Sequence, residues 1–545
     1  MCLRKAISLN TNKQNTFKLN EHGDSIIENY NTGKPFSSFF PGIAGKSGIP
    51  MWVFFVNRGQ GICSMGIQDK DNPIMEFLPA NRAYQLVSSQ GFRTFMKFPE
   101  GSKHRFYEPF QDHYPDQSML RTQQMLISPS HLELVEYNET LGLKFTVEYH
   151  SVPEDQYAGL IRTLHIENTG NQDITFEGLD GLPLIIPFGL NNFALKHLRR
   201  LTEAFVEVSN YDQSAPLFKG KVEPSDRPEV VRIKKGNFYI GMETGKEGVQ
   251  LLIPIVDPQR IFGPHADYAY PAVFLDTPVD ELHKDQIFEN RLPSAMSPFS
   301  QTLQAGQTYT LTSIIGHIDS KETLNGLIPT FMEPGYLQDK KWGSQSLINT
   351  LTAKNLIVSG NPLLDQYVRQ NFLDNVLRGG FPFTLKGKKS QTVLHLYSRR
   401  HGDLERDYND FRVTPTNYSQ GNGAYRDVNQ NRRSDLFFNP DVKSNNLEHF
   451  FNLIQLDGFN PLVIKEIRFI VRDSKAVKEA LIDNIDSNQI NTVLSYLSAS
   501  RTPGELLAHL KQSNVEILCD PDEFLGDLLP ACQKIYDTDH GEGYW

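Results

Sequence analysis

One stretch of the chain, GAYRDVNQNRRSD at residues 423–435, has a hydrogen-bonding side chain at nearly every position. Arg426, Asp427 and Gln430 follow one another closely within it. A carboxylate accepts a hydrogen bond from one sugar hydroxyl, while a neighbouring guanidinium donates to the next. Buried polar groups without partners cost about 1–3 kcal/mol each, and a polyhydroxylated ligand would supply those partners. The stretch therefore favours a sugar-binding site, and the alternative is a polar network that ties loops together.

A second polar cluster, HGDLERDYND at residues 401–410, combines carboxylates with a histidine. In an extended segment His401, Asp403 and Glu405 would share one face, which suits a metal ion. Four arginines lie in or near the cluster: Arg399, Arg400, Arg406 and Arg412. They would compete with a cation, and they could bind phosphate or orient the carboxylates instead. We therefore favour a salt-bridged loop and expect no metal site.

The elements that must position these clusters change type near residue 320. From about residue 45 to 320, apolar and polar residues alternate, as in HLELVEY and GLKFTVEYHSV, which indicates antiparallel strands. The later segments KETLNGLIPTFM and SQSLINTLTAKN have helical spacing. We predict a β-sandwich domain at 1–320, a helical linker at 321–364 and an all-α domain at 365–545, with residues 379–440 as loops. One helical stripe is predicted to be core: Leu364, Val368, Phe372 and Val376.

Composition excludes several function classes. The 545 residues are 39% apolar and 22% charged, which is typical of a multidomain globular protein. A net charge of −10 argues against nucleic-acid binding. No apolar run is long enough to span a membrane, and the N-terminus lacks the apolar core of a secretory signal. The four scattered cysteines and the absence of nucleotide-binding motifs predict a cytoplasmic protein without a cofactor.

Several segments resemble a known enzyme family. GAYRDVNQ at 423–430 and LIQLDGFNP at 453–461 resemble the catalytic domain of cellobiose-phosphorylase-type glycoside phosphorylases, glycoside hydrolase family 94. The run from WVFFVNRGQG to GFRTF at 52–95 resembles the start of their β-sandwich domain. HGDLERDYNDF at 401–411 and the terminal HGEGYW are similar to the long β-1,3-oligoglucan phosphorylases of families 149 and 161.

The resemblance implies a β-supersandwich, a helical linker and an (α/α)6 barrel. Such enzymes cleave a β-glucosidic bond with inorganic phosphate and invert the anomer, giving α-glucose 1-phosphate, so that one carboxylate suffices as general acid. By match with the family motif, Asp427 binds hydroxyls of the glucosyl unit and Arg426 supports it, with Gln430 in the same motif. An arginine that the family has shortly before this motif corresponds to Gln420, and Asn431 stands where the family has a carboxylate.

The general acid of the family lies in an Asp-Trp-Asn-Asp motif that this sequence does not contain. Twelve barrel helices with their loops need at least roughly 216 residues, more than the segment from Asp365 onward provides. We therefore expect an incomplete barrel, with the general acid beyond Trp545. Such a chain would be inactive alone, would expose Leu528, Leu529 and Ile535, and would form a homodimer or associate with a missing C-terminal half.

Two alternatives remain open. A non-catalytic glucan-binding protein would use the same Arg–Asp site without chemistry. A glycoside hydrolase would use water in place of phosphate, and Asp407 or Asp410 would then be the first candidates for a catalytic carboxylate. The linkage that is cleaved, β-1,3 or β-1,4, is not fixed by these residues.

Overall fold

Alternating side chains build the first 320 residues into antiparallel sheets. The computed structural model describes residues 16–112, 119–223, 228–245, 248–398, 412–456 and 458–539. In the segment HLELVEYN, Leu132 and Leu134 point into the core, while Glu133 faces the other side of the sheet. The alternation of apolar and polar residues in the sequence thus matches the alternation of the two side-chain directions at the start of β10.

The strands of this first part, as far as it is described, have the following bounds: β1 (Phe17–Leu19), β2 (Ser25–Glu28), β3 (Ser37–Phe40), β4 (Trp52–Val56), β5 (Ile62–Gly66), β6 (Pro73–Met75), β7 (Arg93–Glu100), β8 (Lys103–Tyr107), β9 (Arg121–Ile127), β10 (His131–Asn138), β11 (Leu143–Ser151), β12 (Ala158–Asn168), β13 (Ile174–Leu182), β14 (Val206–Ser209), β15 (Leu217–Gly220), β16 (Gly236–Gly245), β17 (Gly248–Leu252), β18 (Ala295–Leu303) and β19 (Thr308–Ile318). Short helices interrupt them: α1 (Ala80–Gln90), α2 (Asn192–His197), α3 (Arg199–Glu203), α4 (Gln259–Phe262) and α5 (Ala272–Asp276).

Two of the sheets face each other and enclose the main core. The larger sheet has the order β1-β2-β9-β10-β11-β12-β19-β16-β15-β14, with β17 added beside β16. The facing sheet has the order β18-β13-β7-β8, and a third sheet has the order β3-β4-β5-β6. Leu164 and Leu311 of the larger sheet share one buried cluster with Phe176 and Phe299 of the facing sheet. The predicted β-sandwich architecture is confirmed at this level.

A buried ion pair lies between these two sheets. Arg162 contacts Asp180, and both side chains are fully buried. Arg162 also donates to Gln60 Oε1 at 2.5 Å, and Thr94 Oγ1 donates to Asp180 Oδ1 at 2.6 Å. Although burial disfavours the charge, the Asp180 carboxylate raises the pKa of Arg162 above its usual value. The polar groups at the centre of the sandwich are therefore partnered by one another.

The remaining described elements follow in chain order: α6 (Lys321–Phe331), α7 (Tyr336–Thr352), α8 (Pro362–Gly379), β20 (Phe381–Lys386), β21 (Gln391–Leu396), β22 (Gly423–Ala424), α9 (Tyr425–Arg432), α10 (Asp435–Phe438), α11 (Asn445–Asn452), β23 (Val463–Ile470), α12 (Ser474–Leu481), α13 (Ile490–Tyr496), α14 (Pro503–Gln512), α15 (Pro521–Leu528) and β24 (Gln533–Asp539). No helix in these described ranges is both long and apolar enough to cross a membrane.

The expectation of helices alone after residue 320 is wrong, because strands occur among them. β20 and β21 form an antiparallel hairpin, and β22, β23 and β24 form a three-stranded sheet. The hairpin loop is held by Asp527, whose carboxylate accepts hydrogen bonds from the backbone N–H groups of Lys388, Lys389 and Ser390. Burial opposes the charge, but these bonds hold the pKa of Asp527 below its ordinary value. Residues 379–440 are thus not loops throughout.

Two expectations about apolar side chains also need correction. The first half of α8 lies outside the core, since Leu364 is 46% exposed, whereas Phe372 and Val376 are buried. Leu528 and Leu529 are buried, and Ile535 is partly buried on β24. The physical reason is the β20–β21 hairpin, because Leu528 and Leu529 share one buried cluster with the hairpin side chains Leu385, Leu394 and Leu396.

Candidate functional site

The stretch GAYRDVNQNRRSD forms a short strand followed directly by a helix. Gly423 and Ala424 make up β22, and α9 begins at Tyr425. Val428 is buried in a small cluster with Leu453 and Ile464, and the Tyr425 ring contacts the edge of the Phe450 ring at 5.7 Å. These two contacts fix the helix against β23 and the end of α11. The backbone of α9, which carries the polar side chains, is therefore held in a defined position.

The four predicted binding residues have different surroundings. The Arg426 side chain is 84% exposed, and its Nε lies 3.3 Å from Asp427 Oδ1. Asp427 lies in the first turn of α9, where the helix dipole favours a carboxylate. The Gln420 amide is hydrogen bonded to the backbone of Ile467 through both of its polar atoms. Gln430 lines a cavity. Sugar binding by these residues stays a prediction, and Asp407, Asp410 and the 401–410 cluster lie outside the described residues.

The cavity beside Gln430 has a volume of about 410 Å³ and lies between α8, the start of β20, α9 and α10. We call it the amide cavity, because five side-chain amides line it: Asn355, Asn371, Asn375, Gln430 and Asn431. Asn371 and Asn375 are four residues apart and therefore share one face of α8. Each amide both donates and accepts hydrogen bonds, as a sugar hydroxyl does. The amide cavity is therefore suited to a neutral polyhydroxylated ligand.

Aromatic side chains form the apolar part of the lining. Phe372, Phe381 and Phe438 line the cavity, and the rings of Phe372 and Phe438 meet edge to face at 4.9 Å. Two glycines let the walls approach closely. A Cβ on Gly379 would lie 2.9 Å from the Asn431 Cβ, and Gly380 has a φ of +83° that favours glycine. Gly379 thus allows α8 and α9 to meet at the cavity, and Gly380 allows the chain to turn from α8 toward β20.

Asp435 is the acidic residue among the described lining residues, and its carboxylate is fixed from behind. His395 Nε2 lies 2.8 Å from Asp435 Oδ2, and Asn446 Nδ2 donates to the same oxygen at 2.8 Å. Burial, together with nearby Arg432, lowers the pKa of His395 to about 4, although Asp435 opposes this shift. His395 is therefore neutral at pH 7, and its Nε2–H donates to Asp435. Asp435 can accept hydrogen bonds from a ligand while held in one orientation.

Arg432 lies behind the same wall. It is buried, and its Nε donates to the Gly379 carbonyl oxygen at 2.6 Å. Burial lowers its pKa to about 10, against the opposing effect of Asp435. Arg433, the next residue, lines the cavity and is exposed, so its guanidinium is free to meet an anion there. Among the described residues there is no cluster of three or more side chains suited to a metal ion.

The sequence interpretation did not single out Asn371, Asn375, His395 or Asp435. Asn371 and Asn375 lie on the polar side of an amphipathic helix, where amides normally face water. Asp435 ends the quoted stretch, yet its partner His395 lies 40 residues earlier on β21. The available signal was the hairpin pattern FPFTLKGKKSQTVLHL, which places His395 on a strand.

Comparisons with known proteins give limited similarity. No protein-family model matches the chain, and no curated protein matches it. A protein assigned as a kojibiose phosphorylase, from the human microbiome, is similar over 66% of this chain and 37% of its own, with 8% identity and a TM-score of 0.29. A bacterial glucoamylase complexed with acarbose is similar over 88% of this chain and 62% of its own, with 10% identity and a TM-score of 0.38.

A protein assigned as an aldose 1-epimerase, from Escherichia coli K12, is similar over 52% of this chain and 99% of its own, with 11% identity and a TM-score of 0.23. The chain therefore spans less than two thirds of the length of the first two structures.

Proposed function

We propose that the chain binds a β-gluco-oligosaccharide in the amide cavity and belongs to an inverting glycoside phosphorylase of the cytoplasm. The reaction would use inorganic phosphate to cleave a β-glucosidic bond and give α-glucose 1-phosphate. The observation that supports this proposal is the lining itself, in which five amides, an anchored carboxylate and aromatic rings surround one cavity next to α9. Helices α8 to α15 would form part of an (α/α)6 barrel around this site.

Each lining group has a role in this proposal. The amides of Asn371, Asn375 and Gln430 would exchange hydrogen bonds with sugar hydroxyls, and Asp435 would accept one more. Neutral His395 would keep Asp435 oriented without adding a competing positive charge. Arg433 would attract the phosphate nucleophile, since a guanidinium binds phosphate through paired donors. Phosphate itself attacks the anomeric carbon, so the protein needs one carboxylic acid for the leaving oxygen.

Binding is tested by titrating laminari-oligosaccharides into the protein in a calorimeter. Asn375→Ala should weaken binding about two- to tenfold, because one neutral hydrogen bond is worth about 0.5–1.5 kcal/mol. Asp435→Asn should weaken it about ten- to a hundredfold, because a charged acceptor is lost. Asn488→Ala, at an exposed position outside the amide cavity, is the matched control and should leave the affinity unchanged. Equal affinities for all three variants would contradict the assignment of the cavity.

Chemistry is tested separately, by phosphate-dependent release of glucose 1-phosphate. The Asp-Trp-Asn-Asp motif expected for the general acid is absent from the sequence, so we expect no product from this chain alone. A general acid contributes about 10²- to 10⁴-fold, so turnover should be lower than that of a complete enzyme by at least this factor. Phosphate-independent release of glucose would favour a hydrolase, and Asp407 or Asp410 would be substituted first. Oligosaccharide binding without turnover, also in the presence of a co-expressed partner chain, would favour a glucan-binding protein.

A further inference from the structure

A second cavity lies in the β-sandwich, built from elements other than those of the amide cavity. Its volume is about 620 Å³. Its described walls are strands β14 and β15, residues 221, 222, 230 and 232–234, and the first turn of α6. Five basic residues line it: Lys219, Lys221, Arg232, Lys234 and Lys321. We call it the basic cavity.

The basic cavity has more positive than negative charge. Glu207 and Glu322 are the acidic residues among its described lining, in a chain whose net charge is −10. Lys219 Nζ lies 2.7 Å from Glu207 Oε1, and Lys221 Nζ lies 2.5 Å from Glu289 Oε2. Within the described ranges, no carboxylate lies within 4 Å of the side-chain nitrogens of three further cations: Arg232, Lys234 and Lys321. Their charges remain available to a ligand.

Glu322 offsets only a part of this charge. Hydrogen bonds from its own backbone N–H and from Ser320, helped by the charges of Lys321 and Lys234, hold the pKa of Glu322 below its ordinary value. The carboxylate therefore stays ionised at the start of α6 and faces the same two lysines. Two basic residues that face one exposed carboxylate leave a positive field for an anion.

The walls of the basic cavity are fixed to the sheet. Val222 and Arg232 form an antiparallel bridge, and the Ile233 N–H donates to the Lys221 carbonyl oxygen at 3.3 Å. Ile233 packs against the backbone of Gly189, where an added Cβ would lie 2.6 Å from its Cδ1. Buried Leu217 and the side chains of Val222 and Ile233 add an apolar surface to the lining. The lining therefore combines cations with an apolar surface, which we call the apolar floor.

We propose that the basic cavity binds a phosphorylated sugar. Its volume is in the range of cavities that hold small organic ligands, about 300–1,000 Å³, and is far larger than one free phosphate needs. Arg232 would pair with phosphate oxygens through its planar guanidinium, and Lys234 and Lys321 would add point charges. The apolar floor would contact the C–H faces of the sugar ring. This proposal does not depend on the function of the amide cavity.

The experiment is calorimetric titration with four probes at about 50 mM salt: glucose 1,6-bisphosphate, glucose 1-phosphate, inorganic phosphate and glucose. We expect the affinity to fall in that order, and we expect raised salt to weaken the binding of the charged probes. Equal binding of inorganic phosphate and both sugar phosphates would overturn the proposal in favour of a simple anion site. Absence of binding by all phosphorylated probes would overturn it outright.

The site is located with a triple variant, Arg232→Gln, Lys234→Gln and Lys321→Gln, which should weaken glucose 1,6-bisphosphate binding at least tenfold. A second triple variant matches its change in charge: Lys144→Gln, Lys235→Gln and Lys284→Gln. These lysines pair with Glu167, Asp319 and Glu281 outside the cavity, so this variant should bind almost as the unchanged protein does. Equal weakening of binding by both triple variants would show that overall charge, and not the basic cavity, determines the affinity. If binding were lost in Asp435→Asn but kept in the first triple variant, the phosphorylated sugar would bind in the amide cavity instead, which would overturn the proposal.

Discussion

The centre of the β-sandwich and the surroundings of His449, in the region from α8 to β24, show two different treatments of buried polar groups. In the sandwich, Arg162 is enclosed but contacts Asp180, Gln60 and Tyr149. In the second region, His449 is only 3% exposed, and neither of its ring nitrogens has a hydrogen-bond partner. Unpaired buried groups lower stability, whereas a connected network fixes one arrangement. The Arg162 network is thus fully paired, whereas buried imidazoles without a hydrogen-bond partner occur in both regions, at His449 and at His150 of β11.

Exposed apolar surface differs between the two regions. Seven large apolar side chains between residues 436 and 459 are about half exposed or more: Leu436, Phe437, Leu447, Phe451, Ile454, Leu456 and Phe459. They follow directly on the helix that lines the amide cavity. In the sandwich, exposed large apolar side chains occur singly, as at Phe17, or in smaller groups, such as Phe193, Leu198 and Leu201. The two regions of one chain therefore differ in how completely they bury their apolar side chains, and four substitutions test this difference.

The largest effect is expected in the sandwich. Asp180→Ala leaves Arg162 buried without its carboxylate, which should lower the free energy of unfolding by about 3–5 kcal/mol. Chemical denaturation measures this change. Glu167→Ala is the control, because its 3.5 Å contact with Lys144 is partly exposed and should be worth less than about 1 kcal/mol. A loss below 1 kcal/mol for Asp180→Ala would mean that the sandwich tolerates an unpaired charge.

A slightly smaller loss is expected from the core of the second region. Leu528→Ala removes a fully buried side chain and should cost about 2–5 kcal/mol of unfolding free energy. Leu518→Ala, at an exposed position, is the matched control and should change stability by less than about 0.5 kcal/mol. Similar small changes for both variants, seen by urea denaturation, would show that this core is loosely packed.

A gain in stability is expected at His449. His449→Phe keeps a ring against Phe450 and Tyr536 but removes two unpartnered nitrogens, so stability should rise by about 1–3 kcal/mol. His22→Phe, at an exposed position, is the control and should have little effect. A loss of stability in His449→Phe would indicate that the imidazole has a partner in solution.

The same variant should change the pH dependence of stability. Burial, with smaller effects of Arg432, His395 and Lys534, lowers the pKa of His449 to about 2. Below pH 6.5 the unfolded chain therefore binds a proton that the folded chain does not, and stability falls. His449→Phe removes the group that binds this proton. The free energy of unfolding of the variant, relative to that of the unchanged protein, should therefore rise by about 1.4 kcal/mol for each unit that the pH falls between 6.5 and 4. A constant difference across that window would contradict a neutral buried imidazole.

The smallest effect on stability is expected on the apolar surface. Phe451→Ser should change the free energy of unfolding by less than about 0.5 kcal/mol, because the ring is 68% exposed. Light scattering should nevertheless show less self-association, since large exposed apolar patches favour it. Phe372→Ser, at a buried position of α8, is the destabilising counterpart. Unchanged scattering in Phe451→Ser would show that this surface does not attract other molecules.

Local patterns predicted much of this fold, and contacts distant in sequence account for most of the rest. Alternation in HLELVEY predicted β10, and the helical spacing of SQSLINTLTAKN predicted the second half of α7. The β23–β24 pair joins segments about 70 residues apart, which no local period reveals. In the site, Gln430 was predicted and lines the amide cavity, but the hydrogen bond between His395 and Asp435 depends on tertiary packing.

The N-terminal segment before β4 takes part in the core of the second region. Ile43 is buried in one cluster with Leu373 and Leu377, and Lys46 Nζ lies 2.5 Å from Asp522 Oδ2, 476 positions later in the chain. During synthesis at about 5–20 residues per second, Lys46 would wait roughly 25–95 s for Asp522, and Ile43 would wait about two thirds as long for Leu373 and Leu377. Cotranslational folding can complete most of the sandwich, but the contact between Lys46 and Asp522 can form only after both of these distant segments have been synthesised.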